Sequence, residues 1–344
     1  MRSVPEHNDR SLASGRMTSL VLLIGAPRSG TTWLQQILAS HPAVVSPPET
    51  ELFTRYLAPG VEAFDRSMQR DDGGPTPRRL KGLATVLTRD EFDEWARQLV
   101  TRTVERARAA KPTASVVLEK TPGHTHQFEL IERFAPNSRY LHLVRDGRDV
   151  AASLVVAGRG WGYRWAPTAI GPAAEMWRDH VRAGQAAVHA AGERGLEVRY
   201  EDLHGPAGPH TVLAALAHCG VAATLDDAAD LLDRHRLAEA DPNRVPTDSV
   251  RVGGSHADTA LDEPAGFVGK GGSGGWRAAW NAVDRATFTS RAGDDLRALG
   301  YVTSDDWVGT VSPLVRSRAV AMKIGGRAAR RVGEWAQRSR ERLP

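Results

Sequence analysis

An α/β fold, with a central, mainly parallel sheet between two helical layers, is predicted for this 344-residue chain by three observations. Four short β-branched or leucine-rich runs, at residues 20–24, 115–118, 140–144 and 196–199, are bounded by turn-forming or polar residues and read as strands. The stretches between them carry apolar residues at helical spacing, and alternation of strand with helix is the pattern of a parallel sheet covered on both faces. The first run passes through a glycine-bounded loop straight into a helix, a junction that open α/β sheets place at the edge where ligands bind.

In chain order, residues 1–17 carry Arg2, Glu6, Asp9 and Arg10 and have no apolar core. They are expected to form a flexible, unprocessed N-terminus ahead of a single domain over 18–312. The helix after the first strand places Trp33, Leu34, Ile37 and Leu38 on one face and stops before Pro42. Residues 53–111 are expected to be an insertion at the sheet edge that shapes the substrate side. Within it a Gly/Pro-containing loop at 71–77 precedes an arginine- and glutamate-rich helix over 92–110, marked by Trp95, Leu99 and Val104. Further helices are predicted over 173–191, 211–219, 226–237 and 284–299. Residues 241–275 are rich in glycine, proline and small polar residues without periodicity, which predicts a long mobile loop. Residues 313–344 form a basic tail read as a peripheral helix. Its partial apolar face of Val315, Met322, Ile324, Val332 and Trp335 suits solvent or weak contact with an anionic membrane surface.

Composition narrows the classes. A hydrophobic fraction of 41% supplies a substantial core, and a net charge of +4 suits an anionic ligand while falling short of a nucleic-acid-binding surface. The single cysteine, Cys219, rules out an internal disulfide framework and argues against a cysteine-based zinc site, which points to a reducing, cytoplasmic location. No segment approaches the ~18–20 apolar residues of a transmembrane helix.

The first loop carries the chemistry. In Gly25-Ala-Pro-Arg-Ser-Gly-Thr-Thr32 the glycines allow a tight turn, and the loop N–H groups converge with the positive end of a helix beginning near Thr31. A phosphate or sulfate group fits such a cradle. The spacing nearly reproduces the nucleotide-binding pattern G-x-x-x-x-G-K-[ST], but Thr31 occupies the lysine position and Arg28 lies within the loop. This argues against a loop built around the γ-phosphate and magnesium of ATP. A second anion site is implied where Arg145 ends the third strand and Ser153 follows eight residues later in the next helix. A planar guanidinium with a nearby hydroxyl suits phosphate oxygens. His124 and His126 have no third ligand at zinc-like spacing, so no metal is expected.

Together, Ala26-Pro-Arg-Ser-Gly-Thr-Thr32 and Val144-Arg-Asp-Gly-Arg-Asp-Val-Ala-Ala-Ser153 resemble the sulfotransferases that use 3′-phosphoadenosine 5′-phosphosulfate (PAPS), over roughly residues 20–280. The resemblance implies a P-loop-like three-layer fold and a metal-free transfer that releases adenosine 3′,5′-bisphosphate. It assigns the 5′-phosphosulfate to Arg28, Ser29, Gly30, Thr31 and Thr32, with Trp33 beside them, and the 3′-phosphate to Arg145 and Ser153. Leu118-Glu-Lys-Thr-Pro122 looks like the family's Lys-Thr segment, which gives Lys120 the bridging oxygen of the leaving phosphate, with Arg28 sharing the stabilisation of charge. Val198-Arg-Tyr-Glu-Asp-Leu203 puts Tyr200 near the nucleotide. Gly269-Lys-Gly-Gly-Ser-Gly-Gly-Trp-Arg277 resembles the segment that closes over the 3′-phosphate, which adds Lys270 and Gly271, although Gly269 stands where the family has arginine.

His41-Pro-Ala-Val-Val-Ser-Pro-Pro-Glu-Thr50 resembles the tyrosylprotein and related branch, in which a glutamate of a Glu-Thr pair removes the acceptor proton. That assigns Glu49 as the base. The cytosolic branch uses a histidine two residues after its lysine, a position held here by Pro122, so His124 stands in reserve. The expected acceptor is a hydroxyl of a sugar, lipid, phenol or secondary metabolite. Two alternatives stand beside this reading: a P-loop kinase using ATP, with magnesium on Asp146, and a non-catalytic module that binds a phosphorylated or sulfated partner. Trp161, Tyr163 and Trp165 either line an acceptor pocket or pack as a loop anchor.

Overall fold

The computed structural model describes residues 19–68, 82–235 and 272–310. Its five strands are β1 (Ser19–Gly25), β2 (Val44–Val45), β3 (Val116–Glu119), β4 (Arg139–Val144) and β5 (Gly195–Arg199). Four of them lie on the four apolar runs. The additional strand, β2, is too short to leave a periodic signature. All five pair in parallel, in the order β2-β3-β1-β4-β5. From the adjacent strands β1 and β4 the chain continues to opposite edges of the sheet, and a crevice forms at the carboxyl ends of such a pair.

The helices are α1 (Thr31–Ala39), α2 (Ala58–Met68), α3 (Arg89–Ala109), α4 (Phe128–Phe134), α5 (Gly147–Gly158), α6 (Ile170–Ala191), α7 (Gly208–His218), α8 (Leu225–Arg234), α9 (Trp276–Ala279) and α10 (Ala282–Ala298). Side chains alternate across a strand, so each strand feeds both layers. Val21, Leu23, Leu141 and Leu143 pack against Leu34, Ile37, Val212, Leu216 and Leu231 of α1, α7 and α8. Leu22, Ile24 and Tyr140 point the other way, onto Phe53, Phe64, Phe92 and Ile131. At the end of β4, Val144 joins Leu154, Trp177 and Phe288 of α5, α6 and α10. Each fully buried Leu or Ile contributes about 1.5–3 kcal/mol, so a one-residue slip of β1 would forfeit both faces at once.

Capping sets several boundaries that periodicity alone misses. Thr88 and Glu91 form a reciprocal cap that starts α3 at Arg89, and Thr224 with Asp227 and Asn281 with Asp284 do the same for α8 and α10. Part of the 53–111 region, Ala107 of α3, packs on Val45 of the edge strand β2, and much of the rest covers the centre of the sheet. A wide helical turn over Leu52–Leu57 runs into α2, and together with α3 it supplies Phe53, Leu57, Val61, Phe64 and Phe92 to the core beneath the central strand β1. The physical reason is that Leu22 and Ile24 on that face of β1 need an apolar cover. The expected N-terminal arm at 1–17, the 71–77 loop, the 241–275 loop through residue 271, Lys270, Gly271 and the tail at 313–344 lie outside the described residues.

Candidate active site

The loop between β1 and α1 forms the floor of the crevice. Gly30 caps α1 in a left-handed conformation (φ 98°), and α1 begins with no side-chain cap and no acidic residue in its first turn. Its uncapped N–H groups and dipole therefore favour an anion. A Cβ at Gly30 would stand 2.5 Å from Cδ2 of the buried Tyr200, so only glycine lets the loop lie this close to the ring. Arg28 also holds a left-handed backbone (φ 72°), unusual for a residue with a Cβ. Two contacts fix it there: its Nε donates to Ser153 Oγ of α5 at 3.1 Å, and its carbonyl accepts from Arg145 Nη1 at 3.3 Å. Its guanidinium carbon lies 5.4 Å from the centre of the Trp161 ring.

Lys120, the residue after β3, is buried, and its ammonium reaches both sides of the cradle. Nζ donates to Thr32 Oγ1 at 3.3 Å and forms an ion pair with Glu49, whose side chain is 42% exposed. Glu49 thus returns from beyond α1 to the mouth of the crevice. On its approach the chain is held by Gln35 of α1, whose Nε2 donates to Ser46 Oγ at 2.7 Å and to the Pro47 carbonyl at 3.1 Å.

Arg145, the residue after β4, lies over Tyr200 with its guanidinium carbon 4.1 Å from the ring centre. Its Nη2 donates to the Gly272 carbonyl at 2.9 Å. Two buried polar atoms here, Arg145 Nε and Ser29 Oγ, have no hydrogen-bond partner among the described residues. Buried polar groups are almost always satisfied, so two orphans beside an uncapped helix N-terminus fit the oxygens of a phosphate- or sulfate-bearing ligand. Burial pushes the Tyr200 phenol up from its ordinary value, and burial with the Arg145 charge pushes the His204 imidazole down. Both rings therefore remain neutral beside the arginine.

With this geometry in hand, the family model described as "Sulfotransferase family" matches residues 21–224. The chain belongs to the sulfotransferase family. It is similar to the nodulation protein NoeE of Sinorhizobium fredii, with 28% identity over 166 residues that cover 46% of this chain and 36% of that protein. It is also similar to protein-tyrosine sulfotransferase 2 of Gallus gallus, with 29% identity over 140 residues that cover 40% of this chain and 33% of that one. The chain thus spans about a third of the length of these relatives. Among solved structures, the mouse sulfotransferase SULT7A1 complexed with PAP aligns at a TM-score of 0.47 with 14% identity, covering 83% of this chain and 86% of that one.

In this sulfotransferase-family chain the expected site residues have these partners. Ser153 Oγ accepts from Arg28 Nε, which joins the two anion motifs into one surface. Trp33 and Tyr200 lie inside the wall: Trp33 stacks on His204 at 4.9 Å, packs edge-on to Tyr200 at 5.5 Å, and donates from Nε1 to the His235 carbonyl at 2.6 Å. His124 is fully buried, with Nδ1 2.7 Å from Glu119 Oε2 and Nε2 accepting the Phe53 N–H at 3.1 Å. His126 packs edge-on to His180 at 4.4 Å. Trp161 lies beneath Arg28, whereas Tyr163 and Trp165 are 66% and 44% exposed. Motif reading missed two groups. Asp149 of α5 accepts the N–H groups of Gly274 and Trp276 at 2.7 and 3.2 Å, which docks the 272–280 segment beside Arg145. Glu119 is the other, and its signal was a carboxylate closing an otherwise apolar strand, directly before Lys120. Among the described residues no group of three His, Cys, Asp or Glu is placed to hold a metal ion, and no helix is long and apolar enough to cross a membrane.

Proposed function

We propose that this chain transfers a sulfuryl group from PAPS to an acceptor hydroxyl. The observation that carries the reading is the position of Lys120, whose single ammonium touches both Thr32 of the anion cradle and Glu49 at the crevice mouth. That arrangement joins a binding site for the leaving group to a carboxylate open to an incoming nucleophile. When bound, the donor supplies an electrophilic sulfur and a bisphosphate leaving group. Glu49 takes the proton of the acceptor hydroxyl as the new oxygen–sulfur bond forms. Lys120, drawn from Glu49 toward the cradle, faces the bridging oxygen that receives the electron pair of the breaking bond. Arg28 and the N–H groups of α1 meet the non-bridging oxygens, and Arg145 holds the 3′-phosphate through Nε.

The kinase alternative loses its magnesium ligand. Both Asp146 carboxylate oxygens accept from Arg148, at 2.7–3.2 Å, and Oδ1 also caps α5 through the Arg148 N–H at 2.9 Å. A purely binding module gives no reason for Lys120 and Glu49 to meet beside the cradle. The cytoplasmic location and a sugar, lipid, phenol or secondary-metabolite acceptor belong to the same proposal. Its test is incubation with labelled PAPS and a mixed acceptor panel, followed by mass spectrometry. A product heavier by one sulfuryl group, with release of adenosine 3′,5′-bisphosphate, is expected. Phosphorylation from Mg-ATP with no sulfuryl transfer to any acceptor would overturn the proposal.

A further inference from the structure

Glu119 ends β3 with its side chain 5% exposed. Its Oε1 accepts from the Thr50 N–H at 3.2 Å, from Thr50 Oγ1 at 2.7 Å and from Thr121 Oγ1 at 2.7 Å, while Oε2 faces His124 Nδ1 at 2.7 Å. The hydroxyls and the imidazole pass the arrangement on. Glu51 N–H donates to Thr121 Oγ1 at 3.3 Å, Leu52 N–H to Thr50 Oγ1 at 3.2 Å, and Phe53 N–H to His124 Nε2 at 3.1 Å. Four successive N–H groups, 50 to 53, are therefore capped by side chains organised around one buried carboxylate. These are donors that the start of a helical turn leaves without backbone partners. Glu51 within this stretch holds a left-handed backbone (φ 50°), which a residue with a Cβ keeps only when its surroundings over-determine it.

Burial alone pushes the Glu119 carboxyl up, but the hydrogen bonds from His124, Thr121 and Thr50 outweigh it and hold the group below the usual carboxylate range. The Phe53 N–H points at Nε2 while Nδ1 faces Glu119 Oε2. Both ring nitrogens are thus committed, and the ring is closed to an acceptor hydroxyl.

Two chain adjacencies give this buried cluster a consequence at the crevice. Glu119 precedes Lys120 and Thr50 follows Glu49, so the same two segments meet twice: once below, at Glu119–Thr50, and once above, at Lys120–Glu49. We propose that Glu119 and His124 are positioning residues whose hydrogen bonds to residues 50–53 set the Glu49 carboxylate against Lys120. The proposal rests on the reading of Glu49 as the base. It gives His124 a role through Glu49 instead of in its place.

The test reads geometry without turnover. A water-soluble carbodiimide activates the exposed Glu49 carboxylate, and an amine in contact with it closes a zero-length amide that peptide mass spectrometry locates. The full chain should yield a Glu49–Lys120 cross-link. Thr50→Val removes one hydroxyl at nearly constant shape and should lower the yield about ten-fold, the scale of one hydrogen bond to a charged group. Thr50→Ser should restore it, and His124→Asn should lower it as Thr50→Val does. Affinity for adenosine 3′,5′-bisphosphate, followed by calorimetry, should stay unchanged in every folded variant. If His124→Asn does not fold, the Thr50 pair decides. No cross-link in the natural chain, an undiminished yield in Thr50→Val, or a loss that follows loss of bisphosphate binding would each overturn the proposal. Failure of sulfuryl transfer itself would leave the cross-link result intact, so the two readings fail separately.

Discussion

Replacing Arg145 by alanine separates the two ends of the proposed donor. In the structure the guanidinium donates to the Arg28 carbonyl at 3.3 Å and to the Gly272 carbonyl at 2.9 Å, and its carbon sits 4.1 Å from the centre of the Tyr200 ring. Among the described residues Nε is buried without a partner, so it is the donor that an incoming phosphate oxygen would satisfy. A charge-assisted hydrogen bond of this kind contributes about 1.5–3 kcal/mol, which corresponds to about a 10- to 150-fold loss of affinity for adenosine 3′,5′-bisphosphate. The cost to the fold should be smaller, about 1–2 kcal/mol, because the bond to Arg28 is long, the bond to Gly272 lies near solvent, and a cation–π contact adds only about 0.5–1 kcal/mol. The assay is calorimetric titration with the bisphosphate and, in parallel, with adenosine 5′-monophosphate, which lacks the 3′-phosphate. Affinity for the monophosphate should change by less than about two-fold, since it makes no charge-assisted bond to Arg145. Arg145→Lys should recover part of the loss, because an ammonium keeps the charge without the planar fork. Equal weakening of both ligands would refute the reasoning and make Arg145 a structural residue of the crevice wall.

Four further outcomes follow from the same geometry. Adenosine 3′,5′-bisphosphate should raise the melting temperature well above the effect of Mg-ATP, because a ligand held only by the native state stabilises it by mass action; equal protection by Mg-ATP would favour the kinase reading. Glu49→Gln should keep bisphosphate binding and lower turnover on a true acceptor by about 100-fold or more, with His124→Asn costing less, and steady-state kinetics that rank the two the other way would move the base to the histidine. Gly30→Ala places a Cβ 2.5 Å from Tyr200 on a backbone at φ 98° and should cost about 2–5 kcal/mol in urea unfolding, whereas a loss under about 1 kcal/mol would show that the loop can move away from the ring. Burial, aided by the facing His126 ring, pushes His180 down from 6.5 to about 4. The unfolded chain therefore takes up this proton first as pH falls. Its contribution to stability is complete above about pH 6.5 and is lost between about 6.5 and 4, so the urea midpoint should drop over that window and His180→Gln should flatten the drop.

Much of the fold was legible because local signals were strong. Leu20 to Ile24 is apolar on both alternating faces, and Tyr140 to Val144 is nearly so, broken only by His142; such runs belong in the middle of a covered parallel sheet. The β1–α1 cradle was legible as well, since Gly30 and an uncapped first helical turn are properties of contiguous residues. Residues 52–68 were harder: Pro59 and Gly60 interrupt their apolar spacing, although tertiary contact with β1 holds Phe53, Leu57, Val61 and Phe64 in the core. Motif reading held His124 in reserve as a base, and the structure buries it against Glu119, the residue before Lys120. The role of His124 depends on which hydrogen-bond partners claim its two nitrogens, and Phe53 and Glu119 claim both.

The alternation of strand and helix, the glycine-bounded turn at 25–32, the arginine at the end of the third run and the carboxylate after the first helix are all readable along the chain. Each is written in neighbouring residues, where periodicity, backbone freedom and side-chain chemistry act at short range. Only the tertiary structure decided that Ser153 serves Arg28, that Lys120 meets Glu49 and that Glu119 holds Thr50. Those pairings join residues 125, 71 and 69 positions apart. They exist because β1 lies between β3 and β4 in the sheet, so loops distant in the chain leave its carboxyl edge side by side. Strand periodicity carries no record of strand order; burial of the two sheet faces and the directions of the crossovers select it.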